Sequence, residues 1–227
     1  MKTPREIVEG IYQVGGPDLT DPADCMVYLV VGRPCILIDA GAGPSAPEIH
    51  RLIGEAGCRE DLGVLFLTHG HVDHIGGISF FKKRFPEIKL VAHEGDMEAI
   101  QTGDPVKTAS NWYGMSLPPV VIDEVLHGDQ GKIEAEPSPL EILHTPGHTP
   151  GSCVAVTERD GAKVLFGQDI HGPFMPEFES DISQWKKSME RLLNLEADIL
   201  CEGHYGIIRG KDAVRAFILR HMTLQGF

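Results

Sequence analysis

The sequence predicts an α/β chain in which two β-sheets pack face to face and carry helices on their outer surfaces. Three observations lead there. Short apolar runs closed by Gly or Pro alternate with stretches of helical spacing. Both halves of the chain repeat this style. The residues able to bind a metal follow strands in both halves, so paired sheets would gather their loops on one edge.

The elements follow in order. Residues 11–14 read as a strand that ends at Gly15-Gly16-Pro17. Residues 26–31 end at Gly32, and residues 36–39 end at Gly41-Ala42-Gly43. A helix is predicted over 45–56, with Pro47 in its first turn and Gly57 past its end. Residues 64–67 (Val-Leu-Phe-Leu) form the next strand, 75–84 a helix stopped by Pro86, 88–92 a strand and 94–100 a short helix. Residues 102–119 lack periodicity and read as an irregular loop or helical insert near a site. Strands follow at 140–144, 153–157 and 163–167, a helix at 181–195, a brief strand at 199–200 and a closing helix at 211–222.

At 227 residues the length suits a single domain over 1–227. The net charge of −13 and the lack of a basic run longer than Lys82-Lys83-Arg84 argue against a nucleic-acid partner. No stretch approaches the ~20 apolar residues of a membrane span, so no membrane partner is expected. No apolar run follows the basic N-terminal residues, so no signal peptide is expected. The five cysteines (Cys25, Cys35, Cys58, Cys153, Cys201) are scattered, with no C-x-x-C spacing. They read as core filler without disulfides, which fits a reducing cytoplasm.

Residues 68–74 read Thr-His-Gly-His-Val-Asp-His, directly after the strand at 64–67. Three imidazoles and a carboxylate are too dense for ordinary packing, and both side chains are metal ligands. In an extended turn His69 and His71 point the same way. Asp73 and His74 then fall at the start of the next helix. His148 in a stiff Pro/Gly turn, Asp169 and His204 each follow a strand and complete a set for two ions. Paired ions about 3.5–4 Å apart share a bridging carboxylate and supply hydroxide at neutral pH. Asp169 is the choice for the bridge, and Asp73 serves as ligand while orienting the nucleophile.

These motifs, with Asp39 and Gly41 and the Gly-His-Thr-Pro-Gly turn at 147–151, resemble the metallo-β-lactamase-fold hydrolases along nearly the whole chain. The resemblance implies an α/β (α+β) four-layer αββα sandwich of two mixed β-sheets with helices on the outer faces. It implies His69, His71 and His148 at one metal, Asp73, His74 and His204 at the other, and Asp169 between them. Within the family the chain is most similar to the glyoxalase II-like group. An aspartate stands at 169 where the clinical lactamases carry cysteine, which argues against antibiotic hydrolysis. The glutathione-binding C-terminal extension of glyoxalase II is missing, which argues against a glutathione thioester.

Other residues admit two readings. Asp39 either lies beneath the cluster and bonds a ligand or loop amide, or is a plain turn aspartate. His93 and His171 either support or line the pocket or are ordinary histidines. Tyr205 either donates to a developing oxyanion or packs on the closing helix. Trp112 and Tyr113 either wall the substrate or fill space. His50, His127, His144 and His221 read as ordinary histidines, and Cys201 as a non-ligand.

The expected function is dinuclear metal-dependent hydrolysis of a small ester-like bond, thioester or lactone, with metal-bound hydroxide as nucleophile. Two Zn²⁺ are the expected cofactors, with Fe or Mn as substitutes. The alternative is a mononuclear iron persulfide dioxygenase of the same fold, using His69 or His71 with His148 and Asp169. A non-catalytic relic of the site is a third reading, disfavoured by the intact ligands. The partner is a small molecule, and monomer and homodimer both stay open.

Overall fold

Side-chain alternation decides how each strand faces. In the computed structural model, which describes residues 2–227, seven strands lie in sequence order in one sheet. They are β1 (Arg5–Val8), β2 (Ile11–Gly15), β3 (Val27–Val30), β4 (Cys35–Ile38), β5 (Leu62–Phe66), β6 (Lys89–His93) and β7 (Glu124–Leu126). Pairing is antiparallel as far as β4 and parallel from β4 to β7. A six-stranded sheet holds β8 (Gln130–Ile133), β9 (Leu140–His144), β10 (Cys153–Arg159), β11 (Ala162–Gln168), β12 (Ile199–Glu202) and β13 (Ile207–Arg209) in the order β13-β12-β11-β10-β9-β8. Only β11 and β12 pair in parallel there.

Ile36, Ile38 and Phe66 face the second sheet, where they meet Ile142, Ala155 and Phe166. Their neighbours Leu37, Leu65 and Leu67 face outward and pack under α1 (Ala46–Glu55) and α3 (Ile78–Arg84) through Ile49, Leu52 and Phe81. Val154, Val156 and Leu165 on the second sheet pack under α5 (Ile182–Leu193) and α6 (Lys211–Leu224) through Trp185, Met189 and Ile218. The period of two thus gives three apolar layers and a four-layer αββα sandwich of two mixed sheets, as expected. Central strands are apolar on both faces because both faces are covered. Each fully buried Leu, Ile or Phe contributes roughly 1.5–3 kcal/mol. No helix among the described residues is long and apolar enough to cross a membrane.

Four strands escaped the sequence reading: β1, β7, β8 and β13. All have three or four residues and carry polar positions at or near sheet margins, where burial writes little pattern. The helix expected over 75–84 is two, α2 (Val72–Ile75) and α3. The loop after β4 presses on the break between them: a Cβ on Gly76 would stand 2.1 Å from the Ala42 carbonyl oxygen. Residues 103–119 form turns without a helix.

The expectation of unpaired cysteines is corrected at one pair. Cys35 and Cys58 form a disulfide, while Cys25, Cys153 and Cys201 are free and buried. The cause is the parallel crossover: β4, α1 and β5 return the chain to the starting end of β4, where Cys35 is paired with Leu62. Spacing along the chain carries no sign of that return.

Candidate metal centre

Strands β4, β5 and β6 run the same way, and so do β9, β11 and β12. Their trailing loops emerge on one edge, where bonds cross between the sheets. The Cys153 amide donates to the Thr68 carbonyl at 2.8 Å, and the Met26 amide to the Gly203 carbonyl at 2.8 Å. That edge brings the seven ligand candidates together. His69 and His71 follow β5, Asp73 and His74 lie on α2, and His148, Asp169 and His204 follow β9, β11 and β12.

Two groups of donor atoms result. His69, His71, His148 and Asp169 each offer an atom within 4.8 Å of the others, and so do Asp73, His74 and His204. In the first group His71 Nδ1 lies 3.0 Å from His69 Nε2 and 2.9 Å from His148 Nε2. The His148 ring donates from Nδ1 to the Pro173 carbonyl at 2.7 Å, which leaves its Nε2 as a lone pair facing the group. Asp169 faces both groups. Its Oδ2 lies 3.8 Å from His69 Nε2 and 3.6 Å from His148 Nε2. Its Oδ1 lies 3.3 Å from His74 Nε2 and 3.2 Å from His204 Nε2. Asp73 Oδ2 closes the second group at 3.6 Å from His74 and 3.3 Å from His204.

The two groups differ in charge. Burial pulls the imidazoles of His69, His71 and His148 down, His71 to about 3, so all three are neutral and ready to ligate. Burial opposes a charge on His74, but the carboxylates of Asp169, Asp73 and Asp39 overcome it and hold the imidazole well above its ordinary value. Burial likewise opposes His204, yet Asp169 and Asp73 push it up to about 10. Asp169 is held well below the usual carboxylate range, against its burial, by His74 and His204. A field that attracts protons this strongly also attracts a cation.

A metal test can be made on the orphaned atoms. The side-chain atoms His71 Nε2, His74 Nε2 and Asp169 Oδ1 are buried without a hydrogen-bond partner. Asp39 Oδ2 accepts from His74 Nδ1 at 2.7 Å, which fixes the tautomer and turns the Nε2 lone pair toward two carboxylates. Buried imidazole nitrogens facing carboxylates at these distances take either a proton or a metal cation between them. The converging N and O donors are the types that bind a divalent transition metal, so the residues fit a metal.

Supporting groups surround the ligands. Asp39 also accepts from the Thr68 amide (2.9 Å), the Thr68 hydroxyl (2.8 Å) and the Gln168 side-chain amide. Asp39 and Gln168 both hold positive φ, 63° and 31°, as strained residues at working sites often do. Glu202, wholly buried, accepts from the His204 and Tyr205 amides at 2.7 and 2.9 Å and bonds His171 Nδ1 at 2.6 Å. Gln168 and Glu202 were not singled out from sequence. Glu202 stands two residues before a ligand, the one signal available. Cys25 clusters with Asp39 and His74, but burial pushes its thiol up, and a neutral thiol is a poor ligand.

A cleft of about 240 Å³ opens over the second group, lined by His71, Asp73, Asp169, His171 and His204 on its floor and Ala109, Trp112, Tyr113, Pro173 and Phe178 on its walls. The Phe178 ring lies 4.3 Å from the His71 ring and 5.0 Å from that of Trp112. Tyr205 stands apart, with its ring against His171, His221 and Phe217 of α6. His93 stacks on His144 at 3.7 Å, away from the ligands.

The family model of the Metallo-beta-lactamase superfamily matches residues 20–204. The hydroxyacylglutathione hydrolase of Aeromonas salmonicida (strain A449) is 28% identical over 174 residues, 73% of this chain and 54% of that protein. The atrochrysone carboxyl ACP thioesterase of Aspergillus fumigatus is 25% identical over 198 residues, 86% of this chain and 41% of that protein. The chain thus spans about half the length of these curated relatives. A HARLDQ-motif mutant of a metallo-beta-lactamase from Cronobacter sakazakii superposes with a TM-score of 0.82 at 21% identity, covering 99% of this chain and 96% of that one, which shows the shared fold. The chain belongs to the metallo-beta-lactamase superfamily.

Proposed function

We propose that the protein hydrolyses a small thioester or lactone with a short apolar acyl group, using two divalent ions, zinc by preference. One observation carries this reading: the Asp169 carboxylate turns one oxygen to each donor group, Oδ2 toward His69 and His148 and Oδ1 toward His74 and His204. Bound metals at such a pair lower the pKa of water toward about 7 and polarise a carbonyl. The chain's own residues do the rest. His69, His71 and His148 present neutral nitrogens, and Asp169 spans the groups. Asp73 and Asp169 supply the negative charge that favours a cation in the second group. His204 is the most open ligand candidate, its side chain 31% exposed toward the cleft. Trp112, Phe178 and Pro173 exclude water on one side of the reacting bond.

The walls also bear on substrate. No Lys or Arg lines the cleft, and Lys107 nearby is paired with Glu179 at 2.9 Å. The walls offer a carrier's free carboxylates no lysine or arginine, so a short apolar acyl group fits better than a glutathione conjugate. The net charge of −13 supports a small-molecule partner over nucleic acid. We further read residues 1–227 as a single domain, and place it in the cytoplasm. The Cys35–Cys58 disulfide is the one feature that fits an oxidising compartment instead.

Elemental analysis combined with kcat/KM on acyl thioesters, a lactone and glutathione persulfide tests the proposal. Two zinc per chain with turnover of a thioester or lactone is the expected result. One iron per chain with persulfide oxidation overturns it.

A further inference from the structure

A single buried carboxylate outside the ligand set joins the two loops that carry the three histidines of the first group. Asp96 lies in the first turn of α4 (Glu94–Thr102) and is 5% exposed. Its Oδ2 accepts from the Gly70 amide at 2.9 Å and from the Thr149 hydroxyl at 2.6 Å. Its Oδ1 accepts from the Gly151 amide at 2.7 Å. Gly70 separates His69 from His71, and Thr149 and Gly151 follow His148 in its turn. These loops belong to different sheets, one trailing β5 and the other joining β9 to β10.

An acid in a first helical turn commonly serves its own helix, through the free amides or the macrodipole. Here all three named bonds leave the helix. His93 occupies the cap instead, its Nδ1 accepting from the Gly95 amide at 3.2 Å. The approach is backbone to backbone. A Cβ on Gly95 would stand 2.6 Å from the Pro150 carbonyl, and one on Gly151 would stand 2.4 Å from the Asp96 nitrogen. The Thr149 hydroxyl is itself held: the Thr149 amide donates to Ser152 Oγ at 3.0 Å, and the two hydroxyls lie 2.8 Å apart. Ser152 therefore donates to Thr149, and Thr149 passes its own proton toward Asp96.

We propose that Asp96 is a positioning residue for the first donor group: it sets the distance between the His69–His71 loop and the His148 turn, and with it that group's affinity for metal. The inference rests on the reading of His69, His71, His148 and Asp169 as ligands. Three donors converge on the two carboxylate oxygens. Asparagine has one acceptor oxygen and an amide that donates, so Asp96→Asn would turn a donor toward at least one of these N–H or O–H groups. The size and burial of the side chain are kept, so a role in packing alone would survive the change.

The test compares wild type, Asp96→Asn, Thr149→Val and a control, Asp123→Asn. Asp123 also accepts a backbone amide, from Leu90 at 2.8 Å, but it bonds Lys82 and touches neither ligand loop. Each purified protein is loaded with zinc and dialysed against graded chelator. Zinc per chain is then measured by elemental analysis, and melting of the metal-free protein is followed by circular dichroism. We expect Asp96→Asn to release one zinc equivalent at about 10–100-fold lower chelator strength than wild type, the usual scale for an outer partner of a ligand. Thr149→Val should shift the same way by less, Asp123→Asn should match wild type, and the metal-free melts should stay close together. Retention of both equivalents by Asp96→Asn at wild-type chelator strength overturns the inference. If Asp96→Asn does not fold, Thr149→Val decides alone, and wild-type retention by it is equally fatal. A wild type that binds no zinc overturns the ligand reading itself, and one that binds a single zinc overturns the two-ion reading, both visible before any variant is compared.

Discussion

The two halves of the molecule build the centre in opposite ways. The seven-stranded half contributes His69, His71, Asp73 and His74 from one stretch after a single strand. The six-stranded half contributes His148, Asp169 and His204 from three loops that only sheet pairing brings together. In the first half a local turn nearly suffices, braced by Asp39 and Asp96. In the second half, long-range packing does the placing. Trp185 of α5 shows how. Its Nε1 donates to the Ile170 carbonyl at 2.8 Å, next to Asp169. Its backbone and Cβ lie so close to Gly147 that a Cβ there would stand 2.3 Å away, and Gly147 precedes His148. A ligand cluster written in a short segment tolerates an imprecise fold, whereas ligands written singly require the fold to be right.

This contrast can be broken or sharpened by measurement. The largest effect is expected at the residue that joins the groups. Asp169→Ala should reduce kcat/KM of the zinc-loaded enzyme by more than the roughly 10–100-fold typical of outer partners, with loss of zinc from both groups. Zinc lost from one group alone would show that the halves bind independently. Next, Trp185→Ala should destabilise the protein by roughly 3–5 kcal/mol in urea unfolding. It should also weaken zinc retention, because two second-half ligands share its support. Unchanged retention would contradict the dependence of that half on packing. Reduction of Cys35–Cys58 closes off a smaller effect. Freeing a loop with a sequence separation of 23 should cost about 3 kcal/mol of stability in denaturant titration, while zinc content stays constant. The bond lies at the opposite end of β4 from the ligands, so a change in zinc content would refute the local independence of the first half. The smallest effect is expected at the cleft wall. Trp112→Ala should lower kcat/KM by about tenfold for a hexanoyl thioester, and by much less for an acetyl thioester, on the scale of lost apolar contact in a pocket. Equal losses on both substrates would remove Trp112 from acyl recognition.

Much of this architecture was legible from the chain. The central strands stood out because both their faces are buried, which leaves runs such as Val64-Leu65-Phe66-Leu67 unmistakably apolar. The helix α5 showed its apolar spacing, and α1 the Pro and Gly at its ends. The His-rich segment showed itself because no core needs three imidazoles in six residues. The margins were less visible: β7 (Glu-Val-Leu) and β8 (Gln-Gly-Lys-Ile) are three or four residues long with one buried position each, and gain their pairing only from neighbours. Asp96, Gln168 and Glu202 were invisible for a related reason. A polar side chain in a helix turn or at a strand end looks ordinary until its partners arrive from 26, 129 or 31 residues away along the chain. Cys35 and Cys58 are joined by the same kind of remote encounter.

By itself the sequence determined the alternation of strand and helix, the layered class of the fold, and the chemistry of the ligand set, because burial periodicity and donor type are local properties of residues. Tertiary structure alone decided which cysteines join, which carboxylates brace the loops, and how far the donors stand from one another. Those outcomes depend on distances between residues remote along the chain, and such distances exist only once the two sheets have packed.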